Sequence, residues 1–165
     1  MIPSFLSEPL CFRTDVNEGV QQHNAAVLSA EWQALLAVPD ADVASLSRAD
    51  VPVEPGVYLW RCQGEVHYVG TSSSLLRRVW GKHLGRGVSL GGSSLRRNVC
   101  ELLHGIPTSV TGGKNRQKVT AEQAASIRAW LNTCTISWMV CTSADEAEAL
   151  EGRLLAEYRP PLNRK

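Results

Sequence analysis

A chain of 165 residues with a formal net charge of +1, 44% hydrophobic and 20% charged residues has the composition of a soluble globular domain with one core and an N-terminal appendage. No apolar run approaches the ~20 residues of a membrane span. The opening MIPSFLSEPLCFRTD has no basic start followed by an apolar stretch, so neither a membrane partner nor a secretory signal is expected. Five cysteines (Cys11, Cys62, Cys100, Cys134, Cys141), an odd number without Cys-x-x-Cys spacing, argue against a disulfide framework and a zinc ribbon. Reduced thiols in a cytoplasmic compartment are the expectation.

Along the chain, residues 1–22 show no period and read as an irregular arm. The run AAVLSAEWQALLAV after Asn24 predicts an amphipathic helix packing Val27, Trp32, Leu35 and Leu36, ended by Val38-Pro39-Asp40. A second short helix is expected over Val43 to Ser47, and Val51 to Pro55 reads as an extended linker. Residues 1–50 carry no recognisable chemistry and form a helical N-terminal extension; residues 51–165 hold the rest.

Val57 to Trp60 and Glu65 to Val69 predict a hairpin around Cys62-Gln63-Gly64. A three-residue loop with glycine third would set Tyr58 opposite Tyr68, two phenols on one face. A two-residue loop would put them on opposite faces. Ser72 to Ser74 then offer N-caps for a helix whose apolar face holds Leu76, Val79, Trp80, His83 and Leu84, with Arg78 and Lys82 on one flank.

An insertion around residues 85–132 follows. Gly85 to Gly92 is a glycine-rich basic loop, and Ser93 or Ser94 caps a helix with Leu95, Val99, Leu102 and Leu103 inward. Arg96 and Arg97 are left free as phosphate clamps. Thr108 to Val119 is a basic loop. Its Gly112-Gly113-Lys114 is no phosphate loop, because no strand leads into it and Asn115 stands where Ser or Thr belongs. A capping box at Thr120 opens a helix through Leu131, with Ala124, Ile127 and Trp130 or Leu131 inward. Thr135 to Cys141 alternates as a third strand, and a capping box at Ser143 and Glu146 starts a last helix to Tyr158.

That last helix carries the sharpest signal. Ala147, Leu150, Leu154, Leu155 and Tyr158 form its inward stripe, and Glu151 lies inside it. A carboxylate on a buried face needs a cation, either in an ion pair, with Arg78 for instance, or as a metal ligand. The tyrosines favour the metal. Gly152 beside it suggests a close approach. Arg153 is expected to pair with Glu157.

Charge is unevenly spread. Residues 77–118 contain Arg77, Arg78, Lys82, Arg86, Arg96, Arg97, Lys114, Arg116 and Lys118 against Glu101 alone, whereas residues 1–58 are acidic. Such a surface would attract phosphates in a salt-dependent way, unless the bases are simply solvated helix faces.

Gly56-Val57-Tyr58, Tyr68-Val69-Gly70, Arg78, Glu151, and Pro160 with Asn163 are together similar to the ordered motifs of the GIY-YIG nuclease superfamily over residues 56–163. The resemblance implies an α+β fold with a small three-stranded antiparallel sheet flanked by helices. It also implies a metal-dependent endonuclease that hydrolyses DNA phosphodiester bonds. Glu151 would hold one Mg2+ or Mn2+, Tyr58 would be the general base, Tyr68 would support it or position the water, and Arg78 would contact the scissile phosphate. Asn163 would brace the site. The family usually has His or Tyr four residues after the arginine; Lys82 stands there and His83 one later, so which of the two fills the slot is open. Arg77, Lys82, Arg86, Arg96, Arg97, Lys114, Arg116 and Lys118 would contact DNA. A catalytically inactive nucleic-acid-binding module is the alternative, and a homodimer is left open.

Overall fold

A computed structural model describes residues 28–164. The expected arm over 1–22, and Val27 of the first helix, lie outside the described residues. Helix α1 covers Ala30–Ala37, with Ser29 as its N-cap accepting from the Trp32 amide at 3.3 Å. Strand β1 (Ala41–Asp42) follows, then a 3-10 turn at Arg48–Asp50, where a helix over Val43 to Ser47 was expected. Asp42 accounts for the difference: it accepts from Ala44 and Ser45, turning the chain before a helix can start.

Strands β2 (Gly56–Cys62), β3 (Glu65–Ser72) and β4 (Cys134–Val140) make up the rest of the sheet. The strand order is β1-β4-β2-β3, every neighbour antiparallel. The sheet therefore has four strands rather than the expected three; β1 adds a two-residue edge to β4. A π-wound helix (Leu76–His83), α2 (Ser94–His104), the short α3 (Thr108–Thr111), α4 (Ala121–Leu131) and α5 (Ala144–Glu157) complete the fold.

Alternation along the strands gives the central sheet two apolar faces. Val57, Leu59 and Val69 pack with Trp32 and Leu35 of α1 and Ala147, Leu150 and Leu154 of α5. The Trp32 indole N–H donates to the Leu154 carbonyl at 2.9 Å, which satisfies the one polar atom α1 buries there. Tyr58, Trp60, Tyr68 and Ile136 face the other way, against Leu75, Val79, Leu95, Val99 and Ile127. Residues 28–50 thus pack on the same sheet as the chain that follows. No helix among the described residues is long and apolar enough to cross a membrane.

Several side chains sit where the pattern did not put them. Leu102 and Leu103 are exposed, and so is Tyr158, which leaves the inward stripe to meet the Trp32 ring edge-on at 5.7 Å. Arg153 pairs with Glu31 of α1 rather than Glu157, whose carboxylate accepts from the Ser29 amide. At α5 Ser143 caps the Glu146 amide, but the Glu146 carboxylate turns to Thr142. Cys62 and Cys134 form a disulfide, correcting the expectation of reduced thiols throughout. They are register partners at the ends of β2 and β4, 4.4 Å apart at Cα, a pairing set by the sheet and not by any local spacing.

Candidate active site

The hairpin delivers the two tyrosines to one face by a route other than the expected one. Its loop has two residues, Gln63 and Gly64, both left-handed (φ 54° and 81°), which closes a tight turn whose twist suits the strands. Continued regularly, that register would set Tyr58 and Tyr68 on opposite faces. A bulge prevents it. Trp60 pairs with Tyr68 but Arg61 pairs with Val66, so His67 is the extra residue and the alternation of β3 is reversed beyond it. Tyr58 then lies opposite Gly70, diagonal to Tyr68, with ring centroids 6.3 Å apart. Gly70 is required here: a Cβ on it would overlap the Tyr58 ring and hydroxyl. At the start of β2, a Cβ on Gly56 would run into the Met139 carbonyl of β4.

The helix after β3 places Lys82 and His83 differently. It is wound with i→i+5 hydrogen bonds, the Leu84 amide donating to the Val79 carbonyl at 2.9 Å. The Arg128 guanidinium closes its end on the Leu84 carbonyl at 2.7 Å. In an α-helix the residue sharing the Arg78 flank would be four on, Lys82. The wider turn brings the residue five on, His83, round towards that side and into the protein, while Lys82 stays exposed. His83 is fully buried. Its Nε2 lies 2.6 Å from the Tyr58 hydroxyl and its Nδ1 2.6 Å from Ser93 Oγ, which also accepts the Arg96 amide at 3.1 Å. The Tyr68 hydroxyl meets Ser94 Oγ at 2.7 Å. Ser93 and Ser94, read in sequence only as helix caps, therefore anchor the histidine and one phenol.

Burial dominates the electrostatics. It pushes the Tyr58 phenol well above its ordinary value of 10, with Tyr68 and Glu151 adding and Arg78 opposing. Tyr68 is raised for the same first reason, although its bond to Ser94 works the other way. His83 is lowered from 6.5 to about 3 by burial, then by the charges of Arg78 and Arg96. It is neutral at any physiological pH. Below pH 6.5 the unfolded chain takes up a proton that the folded chain refuses, so stability falls as pH drops from 6.5 towards 3. Between pH 7.5 and 4.5 the wild type should lose about 2–3 kcal/mol through this group, following 1.36 kcal/mol per pKa unit. Urea titrations should show His83→Gln escaping that part of the loss; equal losses in both proteins would refute the buried neutral imidazole.

Glu151 is half-buried on α5. Burial raises its carboxyl above the usual range and Glu148 adds to this, while Arg78 and the Thr71 backbone amide pull it down. Among the described residues it joins no ion pair, so the alternative of a salt bridge to Arg78 is not realised. Gly152 is exposed and a Cβ there would meet open space, so nothing among the described residues approaches it closely. No cluster of three or more His, Cys, Asp or Glu among the described residues could hold a metal ion. A single hard carboxylate fits magnesium, which keeps waters and takes phosphate oxygens, and does not fit zinc.

Asn163 docks on the free edge of β3 as one rung of a ladder. Its Oδ1 accepts from the Val69 amide at 2.8 Å and its Nδ2 donates to the Val69 carbonyl at 2.7 Å. Asn98 of α2, not singled out in the sequence, holds the preceding Leu162 carbonyl at 2.7 Å. The Leu162 amide donates to the carbonyl of the bulged His67.

The basic residues divide. Arg77, Arg78 and Lys82 line one cleft with Ser72, and Lys82 and Arg116 line a neighbouring one. Arg96 and Arg97 do not stand free: Arg96 is 4% exposed and donates to the Gly87 and Ser89 carbonyls, and Arg97 donates to Gly91. Arg86 lies with Arg128 by α4, and Lys114 and Lys118 are exposed on the loop before it.

The family model of the GIY-YIG catalytic domain matches residues 56–165, and the chain belongs to that family. Among solved structures it is similar to the GIY-YIG N-terminal endonuclease domain of UvrC from Thermotoga maritima bound to magnesium, at 21% identity over 69% of this chain and 88% of that one, with a TM-score of 0.37. A point mutant of the same domain, bound to its catalytic divalent cation, gives 23% identity over 69% and 88% of the two chains and a TM-score of 0.38. No curated protein matches the chain.

Proposed function

We propose that this protein is a metal-dependent endonuclease that hydrolyses DNA phosphodiester bonds. The observation that carries the reading is the contact of Tyr58, Tyr68 and His83, ring centroids 5.3–6.3 Å apart, at a place where Arg78 and Glu151 both act on the phenols. A hydrophobic core has no use for that set.

Glu151 would hold the Mg2+ or Mn2+. When bound, the cation neutralises phosphoryl charge and eases departure of the leaving oxygen. Arg78 presents a planar cation to the scissile phosphate from the cleft it shares with Arg77 and Lys82. Tyr58 is the proton acceptor for the attacking water. Burial keeps its phenol protonated at rest, so it would accept that proton as a phenolate favoured by Arg78 and the bound cation, its resting hydroxyl aimed by the hydrogen bond to His83 Nε2. Ser93 Oγ, accepting from the Arg96 amide, has a second lone pair for His83 Nδ1–H, which leaves Nε2 as the acceptor. Tyr68, tied to Ser94, orients the water. Nicking of supercoiled plasmid in Mg2+ or Mn2+, and none in EDTA, is the expected outcome. Metal-independent binding without cleavage of duplex, single-stranded or branched DNA would instead favour an inactive binding module.

A further inference from the structure

Beside the tyrosine cluster lies a cavity of about 430 Å³ whose wall is made only of glycine, serine, lysine and arginine. It belongs to the glycine-rich loop and the start of α2. Two of its glycines are placed for a purpose. A Cβ on Gly91 would collide with the Arg116 side chain, and one on Gly92 would come within 3.2 Å of Lys82 Cδ. Without those Cβ atoms the two cations lie flat against the loop and converge on the space between them. Arg96 and Arg97, bound to the Gly87, Ser89 and Gly91 carbonyls, hold the loop in that shape.

No carboxylate lines the cavity, so its cations repel one another and attract an anion. The adjoining cleft of about 210 Å³ is lined by Ser72, Arg77, Arg78 and Lys82. Lys82 lines both. Two cationic depressions sharing one lysine offer adjoining places for the phosphates of a chain.

We propose that the glycine-loop cavity is a second backbone-phosphate subsite, which holds a phosphate of the cleaved strand flanking the one at Arg77 and Arg78. Arg116 is its specific ligand, the loop backbone its floor, and Lys82 the bridge between the two phosphates. The assignment rests on reading the neighbouring cleft as the scissile-phosphate site, but its test needs neither metal nor cleavage.

The test is fluorescence anisotropy in EDTA on oligonucleotide duplexes carrying one neutral methylphosphonate, walked along the strand. Wild type, Arg116→Ala and Gly91→Ala are compared, each checked for an unchanged thermal transition. One position should weaken wild-type binding by about 5–10-fold, and at that position Arg116→Ala should add no further loss. Elsewhere the two losses should multiply. The Arg116→Ala salt slope should fall by about one unit. Gly91→Ala, which keeps the charge but pushes the Arg116 side chain off the loop, should give a smaller loss at the same position. A loss in Arg116→Ala that is uniform across positions, or no loss at all, would overturn the subsite. If the nuclease reading alone is wrong, cleavage will be missing while this pattern persists.

Discussion

Glu151→Gln should cut DNA at least about 10³-fold more slowly in single-turnover assays, while binding the same DNA in EDTA within about twofold of the wild type. Among the described residues the carboxylate joins no ion pair, and burial and Glu148 outweigh the pull of Arg78 on its charge. A group in that position weakens the metal-free fold at neutral pH, because its folded pKa lies above its unfolded one. The neutral amide keeps the shape and removes that burden, so the thermal transition in EDTA should hold or rise. A structural ion-pair partner would behave in the opposite way, leaving an orphaned cation and a destabilised protein. Activity and stability moving in opposite directions is therefore the signature of a metal ligand.

The second large effect is expected at Tyr58. Tyr58→Phe keeps the ring that fills the space over Gly70 but deletes the oxygen bonded to His83, and should lower the cleavage rate about 10²–10⁴-fold. It should also cost about 1–3 kcal/mol, since His83 Nε2 is left without a partner in a fully buried site. If His83 acts only by aiming the Tyr58 hydroxyl, Tyr58→Phe combined with His83→Gln should cut no more slowly than Tyr58→Phe alone. Multiplying losses in the double variant would show that the histidine acts independently. Tyr68→Phe should cost less, because its hydroxyl partner Ser94 retains other solvent access at the start of α2.

The parts legible in the sequence were those set by local chemistry. The hairpin strand run of β2, the alternation in β4, the Thr120 capping box and the place of Glu151 near the packed stripe of α5 all follow from short-range pattern. The paired tyrosines also came out on one face, but the reasoning that put them there was incomplete. A two-residue turn and a bulge at His67 offset one another, and nothing in the hairpin sequence distinguishes that pair of irregularities from a regular three-residue loop. That His83 is buried while Lys82 is exposed turns on winding. Only packing of Val79 and His83 against the sheet, with Arg128 reaching from α4 to the Leu84 carbonyl, accounts for a wide turn there. Ser93, Ser94 and Asn98 reach partners in the preceding π-wound helix, in β3 and near the C-terminus, and the Cys62–Cys134 pair spans 72 residues. Contacts of that separation leave no mark on local pattern. Arg96 was misjudged because an arginine in the first turn of a helix looks solvent-facing until a loop folds over it.

A crystal of the protein with uncleavable DNA and Mn2+, phased at the manganese edge, tests the account where it is most exposed. One anomalous peak is predicted about 2.2 Å from a Glu151 carboxylate oxygen, with a phosphate oxygen of the strand in its shell and Tyr58 on the side of the attacking water. A Glu151 carboxylate with no ion beside it, turned instead to pair with Arg78, would contradict it.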